Sequence, residues 1–341
     1  MGYPPGLAEP LATVNRPPTA QPRLEQLRPQ LQLPSQQPVT VEAGIFVYDI
    51  GEINQVLQKY QLNTVIWLIW QDSRLAFTPD TEEKPERLIP LAKIWSPEVE
   101  VVNSSNFELP TDGDVIVEPD GTVTYIRKIN LQLASELNLA HFPFDQQQLR
   151  LILESEDYSI NNVVFKVSPK PSQWRQEVFL SEWKLNNITQ EVTTTQLIPQ
   201  TDDYSQARFK IETQRRSGFY IWRAFLPLML IVIVAWLSLW VPLFNVPTGP
   251  FPLSIGALLT AITFNFSISS SLPRVSYLTF FDAFFLICCI SIFLTLVINV
   301  YLTKRQQEQQ METKIIRRLG RRLIPTSFLV SLVIIILVFL I

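Results

Sequence analysis

Carboxylates and an aromatic ring lie close together in one short stretch of this sequence. Glu154, Glu156 and Asp157 are followed directly by Tyr158. Acids beside aromatic rings suit a cationic amine, because the carboxylate supplies charge and the ring supplies cation–π attraction. Like-charge repulsion among neighbouring carboxylates also favours proton uptake. The stretch is therefore a candidate site for an amine or for protons.

Residues for other kinds of chemistry are scarce. The chain has one histidine, His141, and two cysteines, Cys288 and Cys289, which are too few for a transition-metal site. It contains no HExxH, no GxSxG and no phosphate-binding loop, and its acidic loops lack a calcium-ligand spacing. We expect no enzyme activity, no metal centre, no cofactor and no nucleic-acid partner. Histidine titrates near neutral pH, but we interpret His141 as structural.

The elements that must position these residues divide the chain into three parts. Residues 1–40 are rich in proline and glutamine and predict a flexible arm. This arm has no apolar segment typical of a secretory signal, so we expect a processed or trimmed chain. Short runs separated by turn signals predict an all-β, immunoglobulin-like sandwich over residues 41–217. The predicted strand runs are 44–50, 64–70, 99–102, 122–129, 148–153, 163–167 and 207–213.

The last part of the chain, residues 218–341, predicts an all-α membrane domain. Four apolar stretches are long enough to cross a bilayer core of roughly 30 Å as helices. The predicted spans are 219–243, 251–272, 277–303 and 323–341, with a loop at 304–322. That loop carries seven basic residues against two acidic ones, which predicts a cytoplasmic location. An even number of spans then places both termini outside, in a multi-pass protein of the plasma (inner) membrane.

The second apolar stretch carries a mixed polar and apolar row. Residues three or four apart share one helix face. The row on that face is Pro252, Gly256, Leu259, Thr263, Phe266 and Ser270. Spacing alone favours an ordinary packed helix whose hydroxyls bond to neighbouring helices. A lining for a water-filled pore is the alternative, and a rotation by one residue would exchange Phe266 for Ser267.

Several segments resemble, in order, those of the pentameric ligand-gated ion channels, the Cys-loop receptor superfamily. The matching segments are 67–75 with Trp70-Gln71-Asp72, Ile94-Trp95-Ser96-Pro97-Glu98, Phe142-Pro143-Phe144-Asp145, Arg215 twelve residues before Pro227, Leu272-Pro273-Arg274 with Tyr277, and Asp282. The cysteines that close the signature loop of animal receptors would fall at Ser135 and Leu149. Their absence resembles the bacterial branch, including its proton-gated member.

The resemblance implies a homopentamer around a central pore. Each chain would have four identical partners, and the second span of each would line the pore. Leu259 would then form a hydrophobic gate, with Phe266 above it. Residues 246–250 carry no charge, so a charged ring is absent there, but the sandwich segment 41–216 has 26 acidic and 16 basic residues and would concentrate cations. We expect monovalent cations to permeate; an anion channel and a non-conducting membrane receptor are the alternatives.

The resemblance also implies where the domains couple. The coupling residues carried over are Pro143, Phe144, Asp145, Arg215 and Pro273. Asp145 and Arg215 have opposite charges and are expected to pair. The loop between the first two strands carries an acid in relatives, but residues 54–59 contain none here, so we expect Arg215 to lack its second carboxylate.

Agonists of this family bind between subunits in a box of aromatic and polar side chains. The candidates here are Glu154, Glu156, Tyr158, Trp174, Trp183 and Tyr204. Trp70 and Trp95 are expected in the core instead. The agonist itself, an unknown small molecule or protons, stays open.

Overall fold

The structure, a computed structural model, describes residues 31–35, 37–79, 86–104, 109–175, 182–196, 202–241, 250–269, 274–305 and 310–340. Its first part is a β-sandwich and its second part is a group of four long helices. Most of the predicted arm, together with Ser270 and Pro273, lies outside the described residues.

The sandwich consists of eleven described strands in two sheets. The strands are β1 (Val39–Asn54), β2 (Lys59–Gln71), β3 (Arg87–Pro90), β4 (Val99–Val101), β5 (Asp114–Val117), β6 (Thr122–Ala134), β7 (Gln146–Ser155), β8 (Val163–Val167), β9 (Gln173–Trp174), β10 (Trp183–Gln196) and β11 (Asp203–Arg215). One sheet has the order β3-β5-β6-β2-β1-β8, with β9 also paired to β1. The other has the order β10-β11-β7-β4.

Alternation of side chains builds the core between the sheets. Every second residue of β2 from Tyr60 to Trp70 is buried, as expected for a strand with one face on the core. Trp95 and Phe209 are among the large buried side chains of the same core. The predicted all-β sandwich is therefore confirmed, and Trp70 and Trp95 are core residues as expected.

Two of the turns in the sandwich contain an aspartate–glycine pair, Asp112-Gly113 and Asp120-Gly121. Gly113 and Gly121 have φ values of +86° and +87°, the left-handed region that glycine adopts without steric cost. A Cβ on Gly121 would lie 2.4 Å from the backbone oxygen of Asp72. The turn at Gly121 therefore joins β5 to β6 while passing against the chain that follows β2.

Four helices of membrane-spanning length follow the sandwich: α1 (Gly218–Trp240), α2 (Phe251–Ser269), α3 (Phe280–Arg305) and α4 (Gln310–Leu340). Helix α1 contains a π-helical turn, Ile221–Phe225, directly before the turn that holds Pro227. Proline removes one backbone donor and crowds the preceding turn, which favours such a local change of winding. Buried apolar side chains of α1, α2, α3 and α4 share one core.

The segment predicted as a cytoplasmic loop is largely helical, which corrects the prediction for residues 304–322. Helix α3 continues to Arg305 and helix α4 begins at Gln310, well before the predicted start of the fourth span. Hydropathy marks the part of a helix that lies in lipid, and polar residues continue the helix beyond it. Arg317 and Arg321 each donate through Nε to the backbone oxygen of Leu239, so this polar extension packs on the end of α1.

Candidate functional site

The charged pair predicted at the base of the sandwich is present and buried. Arg215 Nε lies 2.6 Å from Asp145 Oδ1, and Arg215 Nη2 lies 3.0 Å from Asp145 Oδ2. The two side chains are 0 % and 1 % exposed. Gln147 Nε2 donates to the same carboxylate, and the backbone N–H of Arg215 donates to the Asp145 carbonyl. The bidentate geometry with these added bonds offsets the cost of removing both charges from water.

Aromatic rings enclose the guanidinium of this pair. Arg215 Cζ lies 4.1 Å from the ring centroid of Trp183, 5.0 Å from that of Phe142 and 5.6 Å from that of Tyr220. Trp183 is 4 % exposed. The structure therefore places this ligand-site candidate beside the predicted coupling residues, apart from the other ligand-site candidates.

A second carboxylate is present near Arg215, which the loop sequence alone did not predict. Glu182 Oε2 lies 3.9 Å from Arg215 Nη1, and this Nη1 makes no hydrogen bond with the described residues. Trp183 pairs with Arg215 across the β10–β11 ladder, so the register of that ladder brings Glu182 close. A second acid therefore does lie near Arg215, on the residue before β10, but it is more distant than Asp145 and partly exposed to solvent.

The loop between β6 and β7 makes direct bonds to the membrane helices. Phe280 N–H at the start of α3 donates to the Ala140 carbonyl at 2.8 Å, and Leu139 N–H donates to the Tyr277 hydroxyl at 2.9 Å. The ring of Phe144 lies 5.5 Å from that of Phe280 and 6.3 Å from that of Phe225. The loop between the sheets is therefore in direct contact with α1 and with the start of α3.

Three further residues add bonds at this contact: His141 in the loop, and Thr279 and Asp282 at the start of α3. His141 Nδ1 bonds the backbone oxygen of Phe339 near the end of α4, consistent with the structural interpretation of this histidine. Thr279 and Asp282 form reciprocal bonds at the start of α3: Asp282 N–H donates to Thr279 Oγ1, and Thr279 N–H donates to Asp282 Oδ2, each at 3.1 Å. The spacing of threonine and acid is a capping box, a signal readable in the sequence.

In the pore row predicted on α2, Leu259, Thr263 and Phe266 are exposed and lie away from the buried side of the helix. Pro252 and Gly256 instead line a cavity shared with Leu230 and Val234 of α1. Leu259 is 60 % exposed and Phe266 is 73 % exposed, and Pro252, Gly256 and Thr263 are exposed as well. The opposite side is buried and small: Ser254, Ala257 and Ala261. Ser270 lies outside the described residues, and no pore is formed by a single chain.

The acidic candidates gather at the end of β7. Glu154 is fully buried and accepts a hydrogen bond from Gln206 Nε2, while Arg208 donates to Gln206 Oε1. Burial raises the pKa of Glu154, and the Gln206 hydrogen bond and the Arg208 charge partly oppose that rise. Oxygen Oε1 of Glu154 has no hydrogen-bond partner among the described residues, so the charge of a buried Glu154 carboxylate is only partly compensated.

The neighbours of Glu154 differ in exposure. Glu156 is exposed, and its N–H donates to the Glu98 carbonyl at 2.8 Å. The hydroxyl of Tyr158 accepts from Trp95 Nε1 at 3.0 Å, and burial raises the pKa of this phenol. A cavity of about 60 Å³ lies beside Glu156, small compared with typical ligand pockets of roughly 300–1,000 Å³.

The remaining aromatic candidates lie on different elements. Tyr204 is in β11, two residues before Gln206, where the β7–β11 register ends at the pair of Gln206 with Glu154. Trp174 is in β9, paired with Val47 of the other sheet. One chain therefore brings Glu154, Glu156, Tyr158 and Tyr204 to one end of one sheet and leaves Trp174 and Trp183 elsewhere.

Comparison with known proteins agrees with these features. A family model for the neurotransmitter-gated ion-channel ligand binding domain matches residues 24–217, and one for the neurotransmitter-gated ion-channel transmembrane region matches residues 224–332. A proton-gated ion channel of Gloeobacter violaceus is 25 % identical over 296 residues, which cover 86 % of this chain and 82 % of the relative. With its sandwich and its four membrane-spanning helices, this multi-pass membrane chain belongs to the neurotransmitter-gated ion-channel family.

Proposed function

We propose that this chain is one subunit of a homopentameric ligand-gated channel that passes monovalent cations through a pore lined by α2. The observation that carries this proposal is the division of α2 into two sides. Small buried residues fix one side against the other helices of the same chain, and the row that contains Leu259 and Phe266 is left uncovered. Five such rows around an axis form a pore with apolar constrictions that can exclude water.

The domain interface supports gating by a ligand of the sandwich. The loop that holds Asp145 and Phe144 bonds the start of α3 and packs on α1, and Arg215 joins β11 to α1. A change in the sandwich on ligand binding thus reaches the two helices against which α2 packs. In this proposal 304–322 is on the cytoplasmic side and both termini are outside.

The ligand is proposed to be the proton or a cationic amine, bound at the subunit boundary near Glu154 and Glu156. The name of the Gloeobacter relative, a proton-gated ion channel, and the raised pKa of Glu154 favour the proton. The exposed carboxylate of Glu156 beside the ring of Tyr158 favours a cationic amine, through charge and cation–π attraction. The cavity within one chain is small, so a second subunit would complete this site. Both ligands would act at the same end of β7.

Current through the purified protein in a planar bilayer tests this proposal. The protein is scanned across pH and a panel of small amines under a salt gradient, with native mass used to establish a pentamer. We expect gated single-channel steps whose reversal potential lies close to the equilibrium potential of the cation. A reversal potential at that of the anion would establish the anion-channel alternative.

Leu259→Ser tests the gate in the same assay. A hydroxyl in the constriction lets water remain there, so we expect higher resting current or half-activation at a ligand concentration at least about tenfold lower. Leu294→Ser on α3, which is also exposed, is the matched control and should behave as the unmodified protein. Unchanged gating in Leu259→Ser would remove Leu259 from the gate. Silence of a pentameric Leu259→Ser protein would favour the non-conducting receptor.

A further inference from the structure

Three polar side chains from three helices meet at the end of the membrane domain farthest from the sandwich. Ser238 is in the last turn of α1, Ser254 is near the start of α2, and Asn299 is in the second half of α3. They are 0 %, 0 % and 1 % exposed. Asn299 Nδ2 lies 2.7 Å from Ser238 Oγ and 2.8 Å from Ser254 Oγ, and the two hydroxyl oxygens are 3.0 Å apart.

A count of protons fixes the direction of every bond in this cluster. The single hydroxyl proton of Ser238 is donated to the Ala235 carbonyl. Ser254 must therefore donate its own proton to Ser238, and Asn299 donates both amide protons. All donors of this cluster are satisfied, and Asn299 Oδ1 is the one atom of the cluster that has no partner among the described residues. Such a closed set at membrane depth is costly to open, since water is not present to replace the bonds.

The cluster acts on the side of α2 opposite the proposed pore. Two residues turn a helix by about 200°, so Ser254 points away from both Pro252 and Gly256. Thr260 and Thr263 use their hydroxyls within α2, on the carbonyls of Gly256 and Leu259. Over residues 251–266 of α2, the described side-chain hydrogen bonds to other helices are those of Ser254.

We propose that Asn299 is a positioning residue that latches the inner end of the pore helix to α1 and α3. Its effect on gating rests on the proposed function. Leu259 lies five residues beyond Ser254, about 7.5 Å along the helix. The latch therefore fixes the position of the helical turn that precedes the proposed gate. The domain contacts reach the opposite ends of α1 and α3, and α2 therefore moves about a fixed inner end.

Hydrogen exchange of the full-length protein in lipid nanodiscs tests the latch without requiring current. In Asn299→Leu we expect backbone amides of residues 251–259 to exchange at least about tenfold faster, a change of roughly 1.4 kcal/mol in local opening. Ser291→Ala is the matched control: it removes the 2.9 Å bond from Trp236 Nε1 between α1 and α3 without touching α2. It should leave residues 251–259 unchanged. Equal effects of the two variants, or no effect of Asn299→Leu, would overturn the latch.

Ser254→Ala provides a second variant should Asn299→Leu fail to fold. It keeps the Asn299–Ser238 bond, frees α2 alone, and should also accelerate exchange of residues 251–259. Gating is then read as the ligand concentration for half-activation, which should shift threefold or more while the maximal current of the open channel stays constant. An unshifted half-activation in a conducting variant contradicts the gating effect. An unmodified protein that is silent contradicts the proposed function and leaves the exchange result intact.

Discussion

The guanidinium of Arg215 is held by two kinds of partner that differ in what they contribute. Asp145 neutralises its charge through two short bonds, and the rings of Trp183 and Phe142 exclude water from it. Glu182, at 3.9 Å and with 43 % of its side chain exposed, contributes less because it is screened by solvent. Removal of Asp145 therefore leaves a buried charge that Glu182 only weakly compensates.

Asp145→Asn keeps the shape of the side chain and removes its charge. We expect a loss of about 3–5 kcal/mol at this contact, since one half of a buried pair is left uncompensated. Thermal unfolding of the pentamer should show a lower midpoint, and ligand-evoked current should be lost. Arg216→Gln, next in the chain and exposed, is the control. A stable and fully gated Asp145→Asn channel would exclude the pair from coupling.

Glu154 is the residue whose protonation the structure favours. Its pKa is raised from the ordinary 4.5, first by burial, so the folded state holds the proton more tightly than the unfolded chain. The stability contributed by that proton is complete below the unfolded pKa and is lost as pH rises through the raised folded pKa. In Glu154→Gln we expect this part of the pH dependence to vanish, with unfolding midpoints measured between about pH 4 and pH 7.

Glu118→Gln is the control for Glu154→Gln, because Glu118 is exposed and lies outside the proposed ligand site. If protons also gate the channel through Glu154, we expect Glu154→Gln to lose the current evoked by pH. The current evoked by amines should stay unchanged in that variant. An identical pH dependence of stability in Glu154→Gln and the unmodified protein would show that the buried carboxyl does not bind the proton.

Sequence motifs predicted Asp145 and Arg215 as a pair, but not the other groups around them. Trp183 was assigned to the ligand site by residue type, and only the β10–β11 register places it and Glu182 beside Arg215. Such contacts join residues that are distant in sequence and depend on sheet pairing. The coupling role of the pair remains a prediction.

At the scale of elements, the strands with a strong apolar alternation were predicted and the others were not. Strand β10 is only partly buried and has no sustained alternation of apolar and polar residues, so its period does not signal a strand although threonine is common in strands. It is defined by pairing with β11 along its whole length. Helix α4 shows the same limit, because hydropathy predicted its apolar part and missed the basic extension that begins at Gln310.

The capping box at the start of α3 lies at the domain interface, so we expect its loss to destabilise that end of the helix. Asp282→Ala removes the acceptor for both the N–H and the hydroxyl of Thr279. Loss of a cap costs about 0.5–2 kcal/mol. Phe280 directly follows Thr279, and its N–H donates to the Ala140 carbonyl of the sandwich, so this contact is weakened as well. We expect faster hydrogen exchange over residues 279–286.

Thr303→Ala is the control for Asp282→Ala, since among the described residues the Thr303 hydroxyl bonds the Asn299 carbonyl of its own helix. It should leave exchange at residues 279–286 unchanged. If residues 279–286 exchange as slowly in Asp282→Ala as in the unmodified protein, packing alone stabilises this end of α3.

At the scale of the whole molecule, charge is concentrated in one domain. The sandwich segment 41–216 carries 26 acidic and 16 basic residues, whereas residues 246–250, at the proposed inner mouth, carry none. A ring of charges inside a pore acts on an ion at close range. A field from the outer domain acts through solvent and is screened by salt. These two sources of cation preference therefore respond differently to ionic strength.

The reversal potential at a fixed tenfold salt gradient should depend on the mean salt concentration. Screening lengths fall from about 30 Å at 0.01 M to about 10 Å at 0.1 M, so the field of the outer domain reaches the pore entrance only in dilute salt. We expect the cation-to-anion permeability ratio to fall severalfold between these conditions. Leu259→Ser, which changes the gate and not the charge, should show the same fall. A ratio independent of salt would place selectivity within the pore, at groups that act on the ion directly.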